Sequence, residues 1–191
     1  MAVSLESKTI AKWALQAFGG KPQVSKYWDE ANKSHVDILN VADRPWDGIT
    51  SCATIGLSAY SIGYTVSGKQ LRVELAGACS SKYKDYPNML ATCAFHVINS
   101  GDSLSHGEVF RNIVPMYYPD VEMKHVLFVS PFLWKGLTDL DFPDKTVTWL
   151  LPAPLSESEH VFAQEQGTGA LEDLWEQRNV DLLDLERKSV V

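Results

Sequence analysis

Apolar residues recur at helical spacing in two long segments and form short β-rich runs between them. The first segment predicts a helix over residues 4–18, capped by Ser4 and ended by Gly19-Gly20. The second predicts a helix over residues 85–99, with Pro87 in its first turn. The short runs predict strands over residues 35–41, 50–57, 62–66, 70–78, 109–114 and 125–130.

Two of these predicted strands differ in their polarity. The run over residues 50–57 is uncharged, which is typical of a central strand that is buried on both faces. In the run over residues 70–78, Arg72 and Glu74 alternate with apolar residues. This alternation predicts that one face of the strand, including Glu74, is exposed to solvent.

The C-terminal segment predicts a strand followed by two helices. The strand covers residues 146–151 and stops at Pro152 and Pro154. Ser156 and Glu159 have the spacing of a capping box, which would open a helix that Gly167 closes. Thr168 would cap the second helix. Acidic residues are expected on the outer faces of both helices: Glu157, Glu159, Glu165, Glu172, Asp173 and Glu176.

The order of elements is a helix, several strands, a helix, more strands and two helices. Strand runs separated from helix runs favour the α+β class, with a mostly antiparallel mixed sheet flanked by helices and closed by two C-terminal helices. The chain has 191 residues, and no repeat, low-complexity tract or linker interrupts it. We therefore expect a single domain over residues 1–191.

Composition limits the compartment and the class of protein. No run of apolar residues is long enough to predict a membrane span, and the N-terminus lacks the pattern of a signal peptide. The three cysteines have no C-x-x-C spacing, which indicates buried or free thiols in a reducing compartment. We expect a cytoplasmic protein.

Charge is distributed unevenly along the chain. Residues 151–191 contain nine acidic and three basic side chains. Residues 1–150 contain fifteen acidic and fourteen basic side chains and are nearly neutral. A protein that binds a nucleic-acid backbone needs clustered Lys and Arg, so direct nucleic-acid binding is disfavoured. The acidic segment would attract a basic partner, although acidic helices can also serve solubility alone.

The sequence offers no convincing catalytic or metal-binding set. Gly56-Leu57-Ser58 resembles part of a nucleophile elbow, but Tyr60 stands where the second glycine would be. Cys93 and His96 would share a helix face, but no third metal ligand has a suitable spacing. We expect no enzyme activity, metal or cofactor, although a Cys/His hydrolase stays open because its partners would meet only in the folded chain.

Tyrosines beside turns suggest a protein interface. Tyr60 and Tyr64 flank predicted turns, where side chains often face solvent, and tyrosine is enriched in protein interfaces. We therefore expect partner contacts from Tyr60 and Tyr64, together with the acidic residues Glu172, Asp173 and Glu176.

Several segments resemble, in the same order, those of the suppressor-of-fused-like domain family. The resemblance covers roughly residues 25–191 and is specific as an ordered set, since each motif is a cap, a turn or a core segment. The segments are Thr54-Ile55-Gly56-Leu57-Ser58, Val73-Glu74-Leu75, Tyr86-Pro87, Gly101-Asp102, 125–131, 147–152, Ser156 to Glu159, Phe162, Gly167, Leu171 and Arg187.

The resemblance is to the compact bacterial members of the family, many of which are immunity proteins or antitoxins. It implies a binding protein that neutralises a cognate polymorphic toxin, often a nuclease, by covering its active surface. A basic nuclease domain would suit the acidic end of this chain. The alternative is a regulatory module that binds another protein or peptide, for example by adding a strand to a sheet edge.

Overall fold

The structure, a computed structural model, describes residues 4–191, and four α-helices lie within them. They are α1 (Leu5–Phe18), α2 (Tyr86–Ser100), α3 (Glu157–Gln166) and α4 (Thr168–Gln177). The Ser4 hydroxyl accepts a hydrogen bond from the Ser7 N–H and caps α1. Both hydrogen bonds of the capping box at Ser156 and Glu159 are present at the start of α3. These two helix starts confirm the sequence prediction.

Residues 4–191 also contain nine strands that form one mixed sheet. The strands are β1 (Pro22–Trp28), β2 (His35–Ala42), β3 (Ile49–Ile55), β4 (Thr65–Val66), β5 (Lys69–Ser80), β6 (Val109–Phe110), β7 (Met123–Val129), β8 (Leu140–Asp141) and β9 (Lys145–Ser156). Their order in the sheet is β1-β2-β3-β5-β9-β7-β6, in which β4 pairs with β5 and β8 pairs with β9. All neighbours are antiparallel except β5 and β9. The predicted α+β class with a mostly antiparallel sheet is therefore confirmed.

The sheet separates two hydrophobic clusters. One cluster contains the inner face of α2, with Tyr86 and Leu90, and the other contains α1 and α4, with Ile10 and Trp175. Neighbouring residues of β3 contribute to different clusters: Cys52 to the first and Ala53 to the second. This central strand is buried on both faces, as its uncharged sequence predicts.

The C-terminal strand is longer than its sequence predicts. β9 continues through Pro152 and Pro154, which pair in register with Phe128 and Val126 of β7. Beyond Leu150, the ladder with β5 ends, so β9 has a strand on one side only. A proline nitrogen that faces the other side needs no ladder partner, and this explains why the two prolines do not stop the strand.

Other boundaries also differ from the sequence predictions. β1 was not predicted, and residues 62–64 lie outside β4. The strand expected over residues 109–114 is only two residues long and leads to a 3₁₀ turn. Gly167, with a φ of 91°, occupies the position before α4, and Thr168 is the first residue of the helix and not its cap. Short, weakly paired segments depend on tertiary contacts, which local pattern does not record.

Candidate partner-binding surface

The three predicted acidic contact residues lie together on the outer side of α4. Leu171 and Trp175 are buried against the sheet. Because side chains three or four positions apart share a helix face, Glu172 and Glu176 lie side by side next to this buried face. Asp173 and Glu176 are exposed, whereas Glu172 is partly buried and its carboxylate lies 2.9 Å from the Nε2 of His106.

Beside these acids lies a groove of about 570 Å³, which we call the α4 groove. Phe132, from the segment after β7, is 57% exposed at its border. The side chains of Val129 and Trp175 are buried and supply apolar surface to the groove. The groove therefore combines apolar surface with an acidic border. Its lining residues are Val129, Phe132, Glu172, Asp173, Trp175, Glu176, Asn179, Val180 and Leu182.

Tyr60 and Tyr64 lie on the connection between β3 and β5. Tyr60 follows a 3₁₀ turn over Leu57–Ala59 and is partly buried, whereas Tyr64 is 41% exposed. The carbonyl oxygen of Tyr64 accepts a hydrogen bond from the Leu71 N–H, 2.9 Å away. Leu71 in turn lies opposite Thr146, near the first residue of β9.

A buried carboxylate holds the turn before Tyr60. Glu74 is fully buried, which contradicts the prediction that its strand face is exposed to solvent. The Glu74 carboxylate accepts hydrogen bonds from the hydroxyls of Thr54 and Ser58 at 2.6 and 2.7 Å. It also accepts from the backbone N–H groups of Gly56, Leu57 and Ser58 at 2.8 to 3.3 Å. Two of the segments that carry the family resemblance, residues 54–58 and 73–75, thus meet in one buried polar site.

None of these five donors belongs to a cationic side chain, so none of them neutralises the negative charge of the Glu74 carboxylate. Burial raises the pKa of Glu74 above its usual value, and the hydrogen bonds from Thr54 and Ser58 oppose that rise. Ser58 donates its hydroxyl hydrogen to this buried carboxylate and is itself buried, which fits a structural role better than a nucleophilic one.

The predicted contact residues therefore form two groups and not one patch. Leu57 and Ile62, on either side of Tyr60, belong to the hydrophobic cluster on the α2 side of the sheet. Leu171 and Trp175 of α4 belong to the cluster on the other side. Tyr64 lies beside the start of β9. Helix α4 lies towards the other end of this strand, because α4 packs on α3 and α3 begins where β9 ends.

The sequence predicted that Glu159 lies on the acidic outer surface, and the structure contradicts this prediction. Glu159 is fully buried, and its carboxylate accepts hydrogen bonds from Nη1 and Nη2 of Arg187 at 2.7 and 2.8 Å. The Trp175 indole N–H donates to the same carboxylate at 3.2 Å, and Arg187 also donates to the Pro154 carbonyl at 2.8 Å. Burial alone would raise the pKa of Glu159, but the hydrogen bonds and charge of Arg187 lower it.

Several acidic residues of the C-terminal segment are engaged in ion pairs. Within residues 4–191, Glu157, Glu159, Asp184 and Glu186 each pair with a Lys or Arg side chain. Glu172 accepts a hydrogen bond from the Nε2 of His106, whose Nδ1 is itself an acceptor. Within the same range, Asp173 and Glu176 belong to no ion pair. Of the acidic residues that the sequence placed on the outer surface, Glu165 on α3 is likewise exposed and unpaired within the described residues, and Asp173 and Glu176 are the unpaired ones that border the α4 groove.

The candidate catalytic groups do not form a site. Cys93 is buried, and burial raises the pKa of its thiol to about 12, which opposes the thiolate form that a nucleophile needs. His96 is exposed and pairs with Asp102 at 3.6 Å. Residues 4–191 contain no group of three His, Cys, Asp or Glu side chains placed to hold a metal ion.

The sheet ends in an open edge at β1, a feature that the sequence analysis missed. β1 pairs with β2 on one side, and six of its seven side chains are exposed, Val24 and Trp28 among them. The large apolar residues of β1, Val24, Tyr27 and Trp28, do not alternate with polar ones, so the period-two pattern that predicts a half-buried strand is missing.

Within residues 4–191, no helix has both the length and the apolar character needed to cross a membrane.

Comparison with known proteins gives one full-length relative of high similarity. The chain is 47% identical over 192 residues to a protein named immunity protein YqcF from Bacillus subtilis (strain 168), and the match covers all of both chains.

Solved structures share the fold at much lower identity. A SUFU (suppressor of fused protein) homolog from Neisseria gonorrhoeae FA 1090 aligns with a TM-score of 0.75 at 15% identity, over 97% of each chain. Drosophila Suppressor of Fused aligns with a TM-score of 0.68 at 15% identity, over 96% of this chain and 50% of the other.

The family model described as suppressor of fused protein (SUFU) matches residues 32–188, which is most of the chain. The matched range includes both buried carboxylates, Glu74 and Glu159, and the cation Arg187. The family expected from the sequence is therefore confirmed, and the chain belongs to the suppressor of fused (SUFU) family.

Proposed function

We propose that this protein is an immunity protein that binds a cognate toxin and neutralises it by covering the toxin's active surface. The observation that carries the proposal is the 47% identity, over the full length of both chains, to a relative named as an immunity protein. In this proposal residues 1–191 act as a single suppressor-of-fused-like domain, of which residues 1–3 lie outside the described part. The chain acts in the cytoplasm, where its three unpaired cysteines stay reduced.

The proposed toxin is a nuclease with a basic substrate-binding surface. A nuclease must present positive charge to its nucleic acid, and a net charge of −7 on this chain favours encounter with such a surface. An acidic protein that covers this surface would both attract the enzyme and prevent the nucleic acid from binding to it. Glu172, Asp173 and Glu176, with Tyr60 and Tyr64, are the proposed contacts.

Neutralisation in this proposal involves binding and no chemical step. The burial and raised thiol pKa of Cys93 support this, as does the structural engagement of Ser58. A binding inhibitor would form a complex with the toxin that can be isolated, and the toxin released from it would be chemically unchanged.

The test is co-expression with a candidate toxin, taken from the genes that neighbour this chain's gene. Cells that express the toxin with this protein should survive, and cells with the toxin and an empty vector should die. The purified proteins should also elute as one complex in gel filtration. If the toxin kills equally well with and without this protein, the proposed function is wrong.

A second candidate function is a regulatory module that binds a peptide by strand addition at β1. The open edge and the exposed side chains of β1 favour it, because such an edge presents unpaired backbone donors and acceptors. Lys26→Pro would remove a backbone donor from β1. Loss of a non-toxin partner in this variant, with toxin protection intact, would support the module over the immunity protein.

A further inference from the structure

We propose that the α4 groove is the docking site for a positively charged segment of the toxin, with one apolar side chain of that segment seated against Phe132. This inference rests on the proposed function and specifies which surface performs it. It assigns the dominant role to the acidic group of candidate contacts and a peripheral role to Tyr60 and Tyr64.

Phe132 supplies an exposed apolar surface at the border of the groove. More than half of this large side chain faces solvent, next to the buried side chains of Val129 and Trp175. Large aromatic side chains beside a concave apolar surface are typical centres of binding energy in protein interfaces. A partner that inserts an apolar side chain here would remove Phe132 from water and would contact the edge of the core.

The charge around the groove specifies the partner. Its lining includes Glu172, Asp173 and Glu176, and it includes no Lys or Arg. Asp173 and Glu176 have no ion-pair partner anywhere in residues 4–191, so both can pair with incoming cations. A second copy of this chain, with a net charge of −7, would bring like charge to the same border. Charge complementarity therefore favours Lys or Arg residues on both sides of the apolar side chain.

The groove is also held in a fixed shape. Trp175, which lines it, donates its indole N–H to Glu159, and Arg187 ties Glu159 to the Pro154 carbonyl of β9. On the outer side, Glu172 contacts His106, whose Nδ1 accepts a hydrogen bond from the Ser130 N–H at 3.1 Å, two residues before Phe132. A preformed surface loses little conformational freedom on binding, which favours high affinity.

The first test compares charge reversals that change the net charge equally. Asp173→Lys with Glu176→Lys reverses two charges at the groove, and Asp47→Lys with Asp144→Lys reverses two exposed acids that do not line it. With a purified, catalytically inactive toxin domain, we expect the groove variant to bind about 100-fold more weakly and the control about 3-fold more weakly at most. Phe132→Ser should weaken binding about 10-fold.

Equal losses in the groove variant and the control variant would overturn the inference, because the effect would then depend on net charge alone. Circular dichroism and thermal melting must show that all variants fold. If wild-type protein neither protects cells nor binds the toxin, the proposed function fails. If wild-type protein protects and binds but the groove variant is unaffected, only the groove inference fails.

The second test measures protection of the groove from a thiol reagent. The three native cysteines are buried, so an introduced surface cysteine is the one that reacts with N-ethylmaleimide. Val180→Cys places a thiol in the groove, and Ser103→Cys places one at an exposed loop residue that does not line it.

Addition of the toxin domain should slow alkylation of the Val180→Cys variant at least about 10-fold, as expected for a thiol that a partner shields from solvent. It should leave the Ser103→Cys variant unchanged. Equal rates with and without toxin in both variants would overturn the inference. A rate in the Val180→Cys variant that falls with its own concentration, without toxin, would assign the groove to a second copy of this chain and would overturn it as well.

Discussion

Glu74 and Glu159 are both fully buried glutamates, yet the protein stabilises them in different ways. Glu74 accepts five hydrogen bonds from neutral groups and holds the turn that precedes Tyr60. Glu159 is paired with the guanidinium of Arg187 and holds Trp175 and the C-terminal segment against β9. The pKa of Glu74 is raised by its burial, whereas the pKa of Glu159 is lowered despite its burial. A counter-charge, and not burial, decides the direction of the shift.

The two sites support two different surfaces. The Glu74 site lies below a loop with tyrosines, and the Glu159 site lies below α4 and its acidic groove. Both glutamates thus have a structural role one layer beneath a candidate contact surface. Substitutions in each site can therefore separate the contribution of stability from that of partner contact.

The largest expected effect is that of Arg187→Ala. The variant leaves the Glu159 carboxylate buried without a counter-charge, and such a loss costs about 3–5 kcal/mol of unfolding free energy. Urea denaturation should show this loss. Lys188→Ala is the control, since it removes a neighbouring but exposed cation and should change stability little. Equal unfolding free energies for wild type and Arg187→Ala would contradict the assigned role of the pair.

The same pair predicts a dependence of stability on pH. Because the folded pKa of Glu159 lies below its unfolded value of about 4.3, its contribution is present above that pH and is lost as pH falls through the folded pKa. In Arg187→Ala the buried Glu159 loses the charge that lowers its pKa, so the stability difference between wild type and the variant should be largest near pH 7 and should shrink steadily as pH falls to about 4. A difference that grows on acidification would contradict the ion-pair assignment.

A smaller effect is expected from Glu74→Gln. The amide keeps the shape of the side chain but turns one acceptor into a donor, facing the donors Thr54 and Leu57, and this should cost about 1–3 kcal/mol. Hydrogen exchange at the Leu57 amide, which loses its acceptor, should also become faster. Glu108→Gln, at an exposed glutamate, is the matched control. Unchanged exchange at this amide would show that Glu74 does not hold the turn.

The smallest expected effect is that of Tyr60→Ala combined with Tyr64→Ala. If these tyrosines contact the edge of the toxin, the double substitution should reduce the binding free energy by about 1 kcal/mol, which is roughly a 5-fold loss of affinity. Trp46→Ala, at another exposed aromatic, is the control and should leave affinity unchanged. A loss as large as that of the α4 groove variant would place the centre of the interface at the tyrosine loop.

The sequence predicted the elements that are fixed by local chemistry. The cap at Ser4, the capping box at Ser156 and the buried strand β3 all follow from residues close in sequence. Sequence could not show that Glu159 is buried, because its partner Arg187 lies 28 residues later. The burial of Glu74 depends on a turn 16 to 20 residues earlier, and alternation alone predicted exposure.

The candidate surface was predictable only in part. The acidic residues of α4 stand out in the sequence as a cluster of charge, and the structure keeps Glu172, Asp173 and Glu176 on one side of the helix. Phe132 gives no such signal, because its exposure results from how the segment after β7 lies against α4. The separation of Tyr60 from this group also requires the sheet, which places them on opposite faces.

The central claim is that this protein neutralises a toxin by stoichiometric coverage of its active surface. The most direct test is a titration of purified toxin, at a concentration far above the dissociation constant, with this protein while nuclease activity is measured. We predict that activity falls linearly and reaches zero at one equivalent, and that dilution in high salt restores it. Complete inactivation by a small fraction of an equivalent, or full activity at several equivalents, would contradict the claim.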